Sequence, residues 1–209
     1  MPLYKIINVD PSSKILIWKI TESFESLSNE VKLKEKSEIR LRGMKSALHQ
    51  RAFLSVRKLL HEIGYSDFDL HYDQFGKPYL DDGKHISISH SHDFACIMIS
   101  HQNIGIDLEM QREKITAIAH KFAEIESPFL NPQEKNYIKK LTVIWGAKES
   151  IFKIRNESGI SFKDHIQVIP FEIDQKQTTA ILNFENKHIK YDIFFEEVEN
   201  FTLVYAFEK

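Results

Sequence analysis

An α+β fold is what the sequence predicts, built as two similar lobes in a pseudo-dimer, each with a mostly antiparallel sheet packed on one long helix. Two observations carry this expectation. Each half of the chain holds one long helical pattern, near residues 46–63 and 131–156, and short β-rich runs surround both. The 209 residues, 42% of them hydrophobic and 11% aromatic, are also enough to bury a full core in one domain or two half-size lobes. The element order puts the lobes at 1–101 and 102–209, with a site in the cleft between them, where small-molecule sites often form.

Taken in order, the runs Leu3–Asn8 and Lys14–Ile20 flank the turn Asp10-Pro-Ser-Ser13 and predict an opening hairpin. Glu22–Lys36 is polar and weakly helical. From Ser46 to Ile63, the stripe Ala52, Val56, Leu59, Leu60 and Ile63 predicts a helix ended by Gly64, with Arg51, Arg57 and Lys58 away from that stripe. Phe68–Tyr72 reads as a strand, followed by the turn Asp73–Gly76 and then Lys77–Leu80, and His85–His90 alternates cleanly as another strand. Ala95–Ser100 reads as a buried strand. Only Gln102 and Asn103 separate it from the strand Ile104–Glu109, so the two are expected to pair as a hairpin. Ile115–Phe122 is helical in pattern. Asn131 as N-cap and Pro132 at the first helical position then start a helix running to about Asn156. The rest is β, near 166–171, 178–184, 188–195 and 201–207.

Composition excludes several classes. A formal net charge of −2 argues against a nucleic-acid-binding face, and the single cysteine, Cys96, against a disulfide framework. Cys96 lies in an apolar run and reads as a buried structural thiol. No stretch reaches the roughly 18 apolar residues of a membrane span, and polar residues by position 8 leave no signal-peptide core. A cytoplasmic protein with no membrane association is the expectation.

The chemistry concentrates in Ile104-Gly-Ile-Asp-Leu-Glu109 and Trp145-Gly-Ala-Lys-Glu-Ser-Ile-Phe-Lys153. Strand alternation puts Ile104, Ile106 and Leu108 on one face, Asp107 and Glu109 on the other. Trp145, Glu149 and Lys153 follow one helix face at i, i+4 and i+8. A helix laid on that strand would bring Glu149 to the acid pair. Three carboxylates suit a hard cation such as Mg²⁺, with Mn²⁺ as a substitute. Each feature has a plainer reading: a solvated strand edge for the acids, a surface ion pair for Glu149 and Lys153, helix packing for Trp145. His85, His90, His92 and His101 invite a zinc reading, but neither a cysteine nor a second histidine pair completes a tetrahedral set.

Upstream lie Gly76-Lys-Pro78 and Ser89-His-Ser91. The series Gly-Lys-Pro, Ser-His-Ser, Gly-Ile-Asp-Leu-Glu and Trp-x-x-Lys-Glu-Ser-x-x-Lys resembles the 4′-phosphopantetheinyl transferase superfamily, in its long, surfactin-synthetase-activating type. The resemblance runs from Arg51 to Ile166. It implies a Mg²⁺-dependent enzyme that moves the phosphopantetheine arm of coenzyme A to a serine of an acyl or peptidyl carrier protein, releasing adenosine 3′,5′-bisphosphate. On its positions, Asp107, Glu109 and Glu149 would hold the metal, and Glu149 and Lys153 would be catalytic. Arg51, Lys77, Pro78, Ser89 and His90 would contact the coenzyme, with Lys32, Lys34 and Arg40 as further candidates for its 3′-phosphate. Carrier proteins are acidic, and the polar stretch after Ile115 is the expected docking ridge. With two lobes in one chain, a monomer is expected. Two departures stand out: Ser150 replaces the more frequent alanine, and Lys121–Pro128 offers Glu124 and Glu126 out of step with the family's Phe-Ser-x-x-Glu pattern. Rival readings are a metal-dependent pyrophosphate hydrolase and a non-catalytic carrier-binding protein of the same fold.

Overall fold

The computed structural model describes residues 3–209. It has two compact units, Met1–Gln102 and Asn103–Lys209, each built on one antiparallel sheet. The α+β class expected from the sequence is the one observed. No helix among the described residues is long and apolar enough to cross a membrane.

In the first unit the strands are β1 (Leu3–Asp10), β2 (Ser13–Lys19), β3 (Leu70–Tyr72), β4 (Pro78–Leu80), β5 (His85–Ser91) and β6 (Phe94–Ser100), ordered β1-β2-β6-β5-β4-β3. The helices are α1 (Phe24–Glu30), α2 (Glu35–Gly43) and α3 (Ala47–His61). Ser46 caps α3 through its side chain, and Ala52, Leu59 and Leu60 bury its apolar stripe among Leu16, Ile86 and Ile97 of the sheet. Arg57, expected away from the stripe, is instead inside. Its Nε donates to Asp67 at 2.9 Å, and Asp67 also accepts the Ser37 hydroxyl and the Lys34 backbone N–H. A buried guanidinium is tolerable only with such complete pairing. The polar stretch from Glu22 is two helices rather than one, interrupted where Lys34 meets Asp67.

The second unit holds β7 (Ile104–Met110), β8 (Ile166–Val168), β9 (Gln177–Phe184), β10 (Lys187–Val198) and β11 (Phe201–Glu208), ordered β7-β11-β10-β9-β8. Against this sheet lies α4 (Tyr137–Arg155). The hairpin expected between the strands at 95–100 and 104–109 does not form. Both edges of β6 are taken by β2 and β5, and β7 pairs with β11, so the two strands belong to different sheets. Helix α4 also starts later than expected. Asn131 accepts the Gln133 backbone N–H in a separate turn, and the helix begins at Tyr137 after Asn136. It ends where Asn156 turns left-handed at φ 50°. Residues Glu113–Lys121 wind as a 3₁₀ helix with no buried residue, in place of the helix expected at 115–122.

Two glycines set the distance between α4 and its sheet. A Cβ on Gly105 of β7 would stand 2.0 Å from the Ser150 carbonyl oxygen, and one on Gly146 would stand 2.6 Å from a Val204 methyl. Backbone meets backbone at the first contact, leaving no side chain to yield. Gly105→Ala is therefore expected to cost about 3 kcal/mol in urea denaturation, whereas Gly43→Ala, with open space around it, leaves stability unchanged or slightly raised.

Candidate active site

Because helix α4 crosses β7 so closely, its inward side chains reach the carboxylates on that face. Asp107 pairs in register with Val204 and Glu109 with Thr202, so both acids stand on the side of the sheet that carries Gly105. Asp107 is nearly buried, at 4% exposure, and Glu109 is half-buried. Lys153 donates to Asp107 Oδ1 at 2.9 Å and to the Ile106 carbonyl at 2.7 Å. Glu149, one turn earlier on α4, is pushed up to about pKa 7, first by burial and then by the negative charge of Asp107 and of Glu109, with Lys153 opposing. The four side chains thus share one electrostatic environment: three acids and one ammonium.

Trp145, another turn back, lines a pocket of about 200 Å³ with Glu109, Met110, Arg112, Lys114, Ile115 and Ile118. Its ring meets Phe122 and Phe162 at 5.1 and 5.6 Å between centroids, so it packs the helix as expected and also forms a pocket wall.

The acid trio fits a hard divalent cation in donor type and charge. It offers only carboxylate oxygens, and after burial it is the charge of Asp107 and Glu109 that raises Glu149's pKa. Among the described residues no group of three His, Cys, Asp or Glu side chains is gathered tightly enough to hold a metal as it stands. Lys153 supplies the cation beside Asp107 instead. The zinc alternative loses its geometry as well: His92 sits at φ 48° in the turn between β5 and β6, beyond the end of the strand that carries His85 and His90.

The remaining candidates belong to the first unit. Arg51 lies on α3, half-buried, with Nη1 donating to the Glu22 carbonyl at 3.4 Å. His90 is exposed on β5, its ring 5.7 Å from that of His49 in the first turn of α3, so His90 and Arg51 approach the same end of that helix. Ser89, adjacent on the strand, faces the opposite side and is nearly buried. Lys77 closes the turn before β4, where its backbone N–H donates to Asp73, and Pro78 is the first residue of that strand. The charge of Lys77 helps to lower the pKa of His85, after burial. Of the further basic candidates, Lys34 is committed to the Leu70 carbonyl and Arg40 lies over the Tyr72 ring.

Sequence reasoning left Lys148 and Arg112 without roles. Lys148, beside Glu149, points away from the acids and is wholly buried against Glu126; Arg112 lines the pocket next to Glu109. The signal was available: Phe122-Ala-Glu-Ile-Glu126 keeps the spacing of Phe-Ser-x-x-Glu, so Glu126 stands in step with that pattern rather than out of it, and a lysine inside an apolar helix pattern needs such a partner.

Three carboxylates and a lysine thus come together on an α+β scaffold. Comparison with known proteins gives the family. A family model described as the 4′-phosphopantetheinyl transferase superfamily matches residues 103–206. Over 166 residues the chain is 30% identical to the 4′-phosphopantetheinyl transferase gsp of Aneurinibacillus migulanus, an alignment covering 77% of this chain and 68% of that protein. The chain belongs to the 4′-phosphopantetheinyl transferase superfamily, and with two units in one polypeptide it is of the long type.

The raised pKa of Glu149 has a thermodynamic signature. The metal-free native state keeps this proton to about pH 7, whereas the unfolded chain releases it near the ordinary 4.5, so the group's contribution to stability is full below 4.5 and lost as pH rises to 7. Glu149→Gln has no charge to gain. The thermal midpoint of wild type minus that of Glu149→Gln, measured in chelator, is expected to fall across this window; a flat difference would mean that Glu149 ionises without hindrance.

Proposed function

We propose that this protein transfers the 4′-phosphopantetheine arm of coenzyme A to a serine of an acyl or peptidyl carrier protein, with Mg²⁺ as the metal and adenosine 3′,5′-bisphosphate as the second product. The observation that supports it best is the grouping of Glu149, Asp107, Glu109 and Lys153 in a chain of this family. In the proposed step the serine oxygen forms a bond to the phosphorus that bears the pantetheine arm. The bond from that phosphorus to the bridging oxygen breaks, and the electron pair leaves with the nucleotide. Bound at Asp107, Glu109 and Glu149, Mg²⁺ would neutralise charge on the pyrophosphate.

The protein's own side chains have the other tasks. Glu149, one helical turn before Lys153 on α4, accepts the serine proton. Lys153 carries its positive charge within reach of Asp107 and stabilises the leaving phosphate. Arg51, Lys77, Pro78, Ser89 and His90 are proposed coenzyme contacts, with Arg51 pairing to the 3′-phosphate through its planar guanidinium. The basic and apolar rim of the pocket, with Arg112, Lys114, Ile115 and Ile118, suits an acidic carrier. We take the protein to act as a monomer in the cytoplasm.

The test is mass spectrometry of apo carrier proteins incubated with the protein, coenzyme A and Mg²⁺. The added pantetheine arm is expected on the carrier serine, and chelator abolishes it. Nucleotide release that ignores the carrier would favour hydrolysis. Glu149→Gln is expected to lower kcat by roughly a hundredfold or more, and a full metal-dependent rate in that variant would remove Glu149 from both proposed roles. Arg51→Ala is expected to raise the KM for coenzyme A by about tenfold with a smaller effect for the analogue lacking the 3′-phosphate.

A further inference from the structure

Lys148 and Glu126 form an ion pair with no exposed surface on either side chain. The ammonium lies 2.9 and 3.0 Å from the two Glu126 carboxylate oxygens, and it donates to the Phe122 and Phe162 carbonyls. Glu126 Oε1 accepts the Val168 backbone N–H at 2.8 Å. Both charges are therefore fully engaged, and one lysine joins four segments: helix α4, the end of the 3₁₀ helix, the loop after α4 and strand β8. Burying such a pair is costly, and well-packed apolar residues would often stabilise as much, so stability alone is a weak reason for it.

The segments it joins are those that seat Trp145. Phe122 and Phe162, whose carbonyls Lys148 holds, are the two rings that Trp145 packs against. Trp145 in turn forms the wall of the pocket beside Glu109, and Ile115 and Ile118 of the 3₁₀ helix form another part. That helix buries none of its own residues fully; Ile115 and Ala119 pack only partly against the core, and Phe122 at its end is wholly buried. We propose that the Lys148–Glu126 pair is a positioning element for the acceptor: it fixes Trp145 and the 113–121 helix, and so sets the shape of the pocket that receives the carrier beside Glu109. This rests on the transferase reading above.

The test uses Lys148→Met with Glu126→Leu in one chain, an apolar replacement that leaves no unpaired charge, and Glu126→Gln, which keeps the Val168 hydrogen bond. In the folded double variant, amide hydrogen exchange across 112–122 is expected to speed up by roughly tenfold. The KM for apo carrier rises by about tenfold while the KM for coenzyme A stays within about twofold, and Glu126→Gln, which leaves the Lys148 ammonium buried without its counter-charge, shows at least as large a rise. Native exchange in 112–122, an unchanged carrier KM, or an equal rise in both KM values would each overturn the proposal. If the double variant does not fold, Glu126→Gln decides by the same exchange and KM criteria. A wild-type protein that transfers nothing to any carrier would refute the transferase reading, and the acceptor role with it, whereas exchange in the variants would still report whether the pair holds the helix.

Discussion

The second unit depends on the close approach of α4 to β7. Without a side chain at Gly105 the Ser150 carbonyl comes within a distance no Cβ would permit, and Gly146 opens the same contact from the helix side toward Val204 and Asp107. This spacing decides what the neighbouring residues can do. A helix one methyl further out would carry Glu149 and Lys153 away from Asp107. The glycine two positions before Asp107 is thus as much a part of the site as the acid, although it bears no functional group.

Closeness also creates the electrostatic problem that the site exploits. Three carboxylates face one ammonium, and burial, nearly complete at Asp107 and partial at Glu109 and Glu149, denies them the solvent that would screen them. Lys153 pairs with Asp107 Oδ1, and Glu149, raised first by burial and then by the two neighbouring carboxylates, keeps its proton to about pH 7. A divalent cation is the natural remedy for such a surplus, since it adds positive charge without another side chain. The same imbalance that costs stability above pH 4.5 is what makes the trio attractive to a metal.

Much of this was legible in the sequence, because strand alternation and helical spacing are local. Asp107 and Glu109 on one strand face, Glu149 and Lys153 on one helix face, and the α+β class all follow from periods of two and 3.6 residues. What local reasoning misjudged were features settled at a distance. The two-residue gap at Gln102–Asn103 has the length of a hairpin loop, yet partners elsewhere in the chain claim β6 and β7 for different sheets. Asn131-Pro132 has the chemistry of a helix start, but Asn131 caps only a turn. Arg57 reads as a surface residue until Asp67, ten positions away, supplies a carboxylate inside the core.

Arg57 and Lys148 show a shared construction in the two units. Each is a cation in the interior of its unit, paired with a single buried carboxylate and completed by backbone partners. Consecutive helix residues lie about 100° apart around the axis, so Lys148 and Glu149 can serve opposite ends: the first turns inward to a partner that satisfies it completely, the second toward acids that leave it strained. Adjacent charges of opposite sign would ordinarily be read as neutralising each other. Here the helix keeps them apart, so Lys148 does not offset the acids around Asp107 and Lys153 does.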